Sequence, residues 1–172
     1  QKGDQTIQYG EVVECLDGTK LKFLGWKDRK DKAEDNEDQK IYQPNEDITF
    51  SKDMTLYGVW EKLSSDLTIT KNVTGLMGDH SKDFSFTVKV EQYITDADGN
   101  FTEWKDVTNS INYDGPVTNG AFTLKHSGSI KLTGLSGKYK ITLTENLEDT
   151  EYKTTATGYP EEKTSGREYT YS

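Results

Sequence analysis

The sequence predicts an all-β protein built as two small modules, and three observations predict it. Thr, Tyr, Val, Ile and Phe dominate the patterned stretches; these are the residues that fit a pleated, half-buried surface. Turn pairs punctuate the chain at Asp17-Gly18, Gly78-Asp79, Asp98-Gly99, Asp114-Gly115-Pro116 and Ser136-Gly137, a spacing that suits short antiparallel strands rather than helices. Only 31% of the 172 residues are hydrophobic and 30% are charged. That is lean for a single core of this length, and enough for two β units that each keep one face wet.

The first unit spans residues 1–62, with its patterned part from about residue 5 to 61. It carries the runs QTIQYGEVVE, KLKFLGWKD and ITFSKDMTLYGVWEK. Between the second and third lies DRKDKAEDNEDQK, residues 28–40, whose one hydrophobic residue is Ala33. Such a run is too polar to bury and predicts a solvated excursion. Phe23, Trp26, Leu56, Tyr57 and Trp60 supply the core, since each aromatic can bury roughly 150–250 Å². The stretch KLSSD, residues 62–66, is the linker. The second unit, residues 66–172, shows strand-like runs at 67–74, 84–92, 101–107, 121–125, 129–133, 138–145, 151–157 and 167–172.

Landmarks in the first unit follow a recognisable order: Tyr9-Gly10, Phe23/Gly25/Trp26, Pro44-Asn45 and Leu56-Tyr57-Gly58-Val59-Trp60. In this it resembles the extracellular, β-grasp-like Listeria–Bacteroides repeat. The resemblance implies a spacer or adhesion module of a surface protein. Carbohydrate stacking on Trp26 or Trp60 is weighed against core packing, which is the simpler expectation for aromatics in so small a unit.

Strand parity in the second unit supplies the candidate site. In LTITKNV, Leu67, Ile69 and Val73 alternate and share a face, and Lys71 has their parity. In YKITLTE, Tyr139, Ile141 and Leu143 share a face, and Glu145 continues it. Both strands therefore aim a charge at a core otherwise made by Phe84, Phe86, Val88, Val90, Phe122, Leu124 and Leu132. A buried unpaired charge costs several kcal/mol, so each group is expected to find a partner or lose its charge. Burial lowers a Lys pKa and raises a Glu pKa. An amine nucleophile beside a protonated carboxyl is the pair that an intramolecular isopeptide bond requires. A plain buried salt bridge is the alternative.

The same unit carries Thr-Lys-x-Val-x-Gly at 70–75, Phe-x-Phe-x-Val at 84–88, Phe-x-Leu-Lys-x-x-Gly at 122–128 and a Tyr strand ending in Glu145. It looks like the pilin-type isopeptide domain of Gram-positive surface proteins, which is an immunoglobulin-like, pilin-like β-sandwich. The resemblance implies that Lys71 forms the bond and Glu145 catalyses it. The acceptor Asn of that family lies in a terminal Phe-Thr-Asn strand, and this sequence has no Asn after Asn146.

Charge and composition narrow the rest. A net charge of −9 and a pI near 4.8 set the chain against phosphate backbones and anionic lipid, so no nucleic-acid partner and no membrane insertion of this segment are expected. No apolar run approaches the roughly 20 residues of a spanning helix. No signal peptide opens the chain and no sorting signal closes it, which suggests a segment of something longer. Cys15 is alone and there are two histidines, His80 and His126, so an internal disulfide and a Cys₂His₂ zinc site are both impossible. DADGN at 96–100 lacks the Gly and Glu of a calcium loop and reads as a type I′ turn over Asp98-Gly99. GLSGKY is no phosphate loop; His80 and His126 sit beside turns without a Ser or Cys nucleophile pattern, and both read as surface histidines. No cofactor or metal is expected, and no catalytic constellation points to an enzyme. The expected role is a structural or adhesive stalk segment of an extracellular bacterial surface protein or pilus, anchored to the cell wall by a segment outside this chain. Its partners would be other modules of the same protein and a host or matrix protein or glycan. The alternative is a carbohydrate-binding accessory module of an extracellular hydrolase, which an exposed aromatic strip on one sheet would favour.

Overall fold

The computed structural model describes residues 8–28, 41–43, 46–47, 55–146, 152–157, 162–165 and 168–171. The expected polar excursion beyond Asp28, the Pro44-Asn45 turn and the run ITFSKDM at 48–54 lie outside these residues. The described protein is all-β. It divides into two compact units, the first from residues 1–15 and 19–63, the second from 16–18 and 64–172.

In the first unit, β1 (Val12–Glu14), β2 (Lys20–Lys27) and β3 (Tyr57–Leu63) form an antiparallel sheet in the order β1-β2-β3. Phe23 is fully buried. The rings of Trp26 and Trp60 pack against it at centroid distances of 4.9 and 5.0 Å, so both indoles are half-buried core residues. A bulge falls between Phe23 and Gly25. At Gly25, φ is +130°, and an added Cβ would stand 2.5 Å from the Tyr42 carbonyl oxygen. That carbonyl accepts the Trp26 N–H at 2.9 Å, and the Trp26 carbonyl accepts the Tyr42 N–H at 2.7 Å. Glycine is thus the residue that lets the chain turn there and bridge to Tyr42.

The second unit is organised by β5, Phe84–Thr95. Phe84, Phe86, Val88 and Val90 are buried while Ser85, Thr87 and Lys89 between them are exposed. Each fully buried apolar side chain contributes about 1.5–3 kcal/mol, and moving the register by one residue would turn this whole row to water. One side of β5 pairs with β10 (Tyr139–Glu145); the other pairs first with β8 (Ala121–Leu124) and then with β6 (Phe101–Asp106). β12 (Glu168–Tyr171) and β11 (Glu162–Ser165) extend the sheet beyond β10. A second antiparallel sheet has the order β4-β9-β7, with β4 at Ser65–Thr70, β9 at Ser129–Leu135 and β7 at Asn112–Tyr113. Ile69, Ile130 and Leu132 from this sheet and Phe86, Val88, Phe122, Ile141 and Leu143 from the first belong to one core.

Three expectations need correction. The segment 152–157, expected as a strand, joins no ladder. β4 stops at Thr70 rather than reaching residue 74, because beyond it the backbone of Lys71 is taken up by the 125–128 turn. The β5–β6 turn is not type I′: that turn needs positive φ at both central residues, and Gly99 has it at +85° while Asp98 does not. The carboxylate of Asp96 closes the loop instead, accepting the N–H groups of Asp98 and Asn100 at 3.0 and 2.8 Å.

Candidate functional site

Lys71 follows the last residue of β4, an edge strand among the described residues, and its backbone is held on both sides by one turn. Its N–H donates to the Gly128 carbonyl at 2.9 Å, and its carbonyl accepts the Ser127 N–H at 2.7 Å. Ser127 has φ +62°, the left-handed conformation that reverses the chain there. Two residues on, the Val73 N–H donates to His126 Nδ1 at 2.9 Å. The His126 ring stacks on that of His80 with centroids 3.9 Å apart. His80 is exposed as expected of a surface histidine, but His126 is half-buried and serves the backbone next to Lys71.

Glu145 arrives from the opposite sheet. It is the last residue of β10, in register with Phe86, and is 3% exposed. Lys71 Nζ donates to Glu145 Oε1 at 2.6 Å. The side chains are 13% and 2% exposed, respectively. The ammonium also lies 4.3 Å from the centre of the Phe84 ring, a cation–π contact that helps replace lost water. The other carboxylate oxygen, Oε2, accepts the Thr154 hydroxyl at 2.6 Å. Each oxygen of the buried carboxylate therefore has a partner, which is the condition for such a group to be tolerated.

Neither Thr154 nor Phe84 is legible in the sequence as a neighbour of this pair. Phe84 reads there only as core. Thr154 sits in a segment with no ladder, so parity says nothing about it; the run YKTT after a charged stretch offers no sharper signal.

A cavity of about 470 Å³ opens beside the pair. Leu67, Ile69, Phe86 and Leu143 give it apolar walls, Lys71 and Glu145 its polar end, and Thr154, Thr155, Ala156 and Thr157 one rim. It runs along β4, whose second edge carries no ladder among the described residues. Asn72 is the one carboxamide in the lining, and it adjoins Lys71 along the chain. Chemically, the arrangement offers a primary amine, a carboxyl in contact with it, and an elongated slot where a third group can meet both. Among the described residues, no group of three or more His, Cys, Asp or Glu side chains could hold a metal ion, and no helix is long and apolar enough to cross a membrane.

Comparison with known proteins bears on the second unit. The family model described as "Domain of unknown function (DUF7601)" matches residues 65–171. Among solved structures, the chain is similar to a cysteine-to-alanine mutant of the pilus-presented adhesin Spy0125 (Cpa). The identity is 28% and the TM-score 0.35, over 48% of this chain and 19% of that one. It is similar to another crystal form of the same adhesin with 28% identity and a TM-score of 0.34, over 52% of this chain and 20% of that one. The chain thus spans about a fifth of the length of those adhesin chains. No curated protein matches it.

Proposed function

The chain belongs to the family of the domain of unknown function DUF7601 through residues 65–171, and we propose that it is a structural or adhesive stalk segment of a bacterial cell-surface protein or pilus. In this reading the first 62 residues are a Listeria–Bacteroides-repeat-like spacer, and residues 66–172 are a pilin-type sandwich whose Lys71 and Glu145 are the amine and acid of an intramolecular isopeptide bond. The protein is extracellular, anchored to the cell wall through another segment, and is not an enzyme acting on an external substrate. The single observation that supports the reading is the contact of Lys71 Nζ with a carboxylate that is almost wholly removed from water, beside a cavity of mixed polar and apolar lining along a strand edge that carries no ladder among the described residues.

The slot suits an extended strand. Its apolar wall would take apolar side chains at alternate positions, and the edge of β4 that carries no ladder among the described residues would supply backbone hydrogen bonds. An Asn on such a strand would bring its carboxamide carbon to Lys71. Transfer of one proton from the ammonium to the carboxylate converts the ion pair into an amine and a carboxylic acid. The amine attacks the carboxamide carbon while the acid donates a hydrogen bond to its oxygen. A new C–N bond to Nζ forms, the bond to the amide nitrogen breaks, and ammonia departs with the proton the amine gives up.

The reading is tested in trans. A synthetic strand of alternating apolar residues with a central Phe-Thr-Asn is incubated with the chain and resolved on a denaturing gel. A covalent adduct that is absent with Lys71→Ala, and slowed by Glu145→Gln, supports it. If no adduct forms although the peptide binds, the crosslinking role is withdrawn.

A further inference from the structure

The face of the β5–β6 hairpin turned away from the core carries three aromatic rings. Tyr93 is in register with Trp104, and Thr95 with Phe101. The extra residue between Phe101 and Glu103 is Thr102, whose hydroxyl donates to the Ile94 carbonyl at 3.1 Å. That bulge is why Phe101 and Trp104, three residues apart, share one face. The ring centres are 4.9 Å apart for Tyr93–Phe101, 5.4 Å for Tyr93–Trp104 and 6.2 Å for Phe101–Trp104. Phe101 is 48% exposed and Trp104 39%. The sandwich core does not use these rings: its cluster draws on the other face of β5.

We propose that Tyr93, Phe101 and Trp104 form a binding site for an uncharged glycan, stacking a pyranose ring on its apolar C–H face. Size decides against a protein partner. At these exposures the two outer rings offer on the order of 200 Å², whereas a stable protein interface buries about 800 Å² on each side around an apolar centre. The rim decides the chemistry. Lys138 lies with its Nζ 5.4 Å from the Tyr93 ring centre, and by register Glu91, Asp106, Lys140 and Thr95 stand on the same face. Donors and acceptors thus surround an apolar patch, the mixture that a sugar's hydroxyls and C–H face require. Both signs of charge stand on this face, with Glu91 ion-paired to Lys89 at 2.6 Å, so the face draws neither polyanion nor polycation, and the chain's net charge of −9 further disfavours acidic polysaccharides. The site is on the opposite face of the sheet from the Lys71 slot and does not depend on the crosslink.

Affinity electrophoresis of the full chain in native gels containing laminarin, mannan, xylan or hydroxyethylcellulose tests the site. Retardation by at least one of these neutral glycans is expected, weakened about tenfold in Trp104→Ala or Phe101→Ala, and largely kept in Trp104→Phe. Thermal melts show whether each variant folds; if Trp104→Ala does not, Phe101→Ser and Trp104→Phe carry the comparison. No retardation by any of the four, or equal retardation of a folded Trp104→Ala variant, would overturn the proposal. So would retardation in a fifth gel, containing the polyanion hyaluronan, and in none of the other four. If gel filtration instead shows a dimer of the parent chain that Trp104→Ala dissociates, the face is a contact between copies and the glycan assignment fails.

Discussion

Lys71 Nζ and Glu145 Oε1 lie 2.6 Å apart although the residues are 74 positions apart in sequence. The pair joins the two sheets of the sandwich: β4, which Lys71 follows, belongs to one and β10, which Glu145 ends, to the other. Thr154 and Phe84 complete its surroundings. The pair is therefore a structural tie before it is anything else, and stability measurements report on it directly.

Breaking one half of the tie costs more than removing both. Lys71→Met leaves the Glu145 carboxylate buried with the Thr154 hydroxyl as its remaining partner, and is expected to destabilise the second unit by about 3 kcal/mol. Adding Glu145→Gln should restore a large part of that loss. Urea unfolding of the two single variants and the double variant measures it; a double variant no more stable than Lys71→Met would show that the carboxylate is not held by the lysine.

Thr154→Val removes the hydroxyl that donates to Glu145 Oε2. A hydrogen bond to a charged group contributes about 1.5–3 kcal/mol, and a loss of this size is expected. Thr154→Ser should retain most of the stability, which separates the hydroxyl from the methyl group.

Acid sensitivity has an identifiable source at the end of β6. Asp106 accepts the N–H and hydroxyl of Thr108 at 2.9 and 2.7 Å, and the Thr108 hydroxyl oxygen accepts the Val90 N–H at 2.9 Å. The backbone N–H of Thr108, then its hydroxyl, hold the Asp106 carboxyl below its ordinary value of 3.8. The folded state thus binds this proton less readily than the unfolded chain. The stabilisation is present above about pH 4 and is lost as pH falls through the lowered folded value. Asp106→Asn should reduce stability at pH 7 and flatten the acid limb of a plot of melting temperature against pH. Thr108→Val, which strands the buried Val90 N–H, should cost about 1–3 kcal/mol.

Gly25→Ala tests the first unit by itself. At φ +130°, with the Tyr42 carbonyl in the way, alanine is expected to cost about 1–3 kcal/mol of backbone strain in addition to the steric shift. Trp26 and Trp60 both pack on Phe23, so tryptophan fluorescence should report an earlier unfolding transition. An unchanged transition would show that the bulge relaxes without cost.

Alternation made much of the second unit readable. The burial of Phe84, Phe86, Val88 and Val90, and the inward aim of Glu145 after Ile141 and Leu143, follow from the two-residue period alone. What was not readable lies where that period breaks. The bulge at Thr102 places Phe101 and Trp104 on one face, although their spacing in sequence assigns them to opposite ones. β7 is two residues long, too short to show a pattern. β11 falls in the charged stretch EKTS, which has no apolar residue to mark it. Thr154 lies in a segment that contacts Glu145 through one hydroxyl rather than through a ladder. By its parity Lys71 reads as a strand residue, yet it sits just past the strand, where the 125–128 turn rather than β pairing fixes its backbone.

The most direct test of the central claim is the intact mass of the chain with a Phe-Thr-Asn strand fused after Ser172, measured under denaturing conditions. The reactive-pair account predicts a mass lower than that of the sequence by one ammonia, returning to the full value in Lys71→Ala. A full, unreduced mass in a fusion that folds and protects the Lys71 amine from acetylation would contradict it, and Lys71 with Glu145 would then be a buried salt bridge and nothing more.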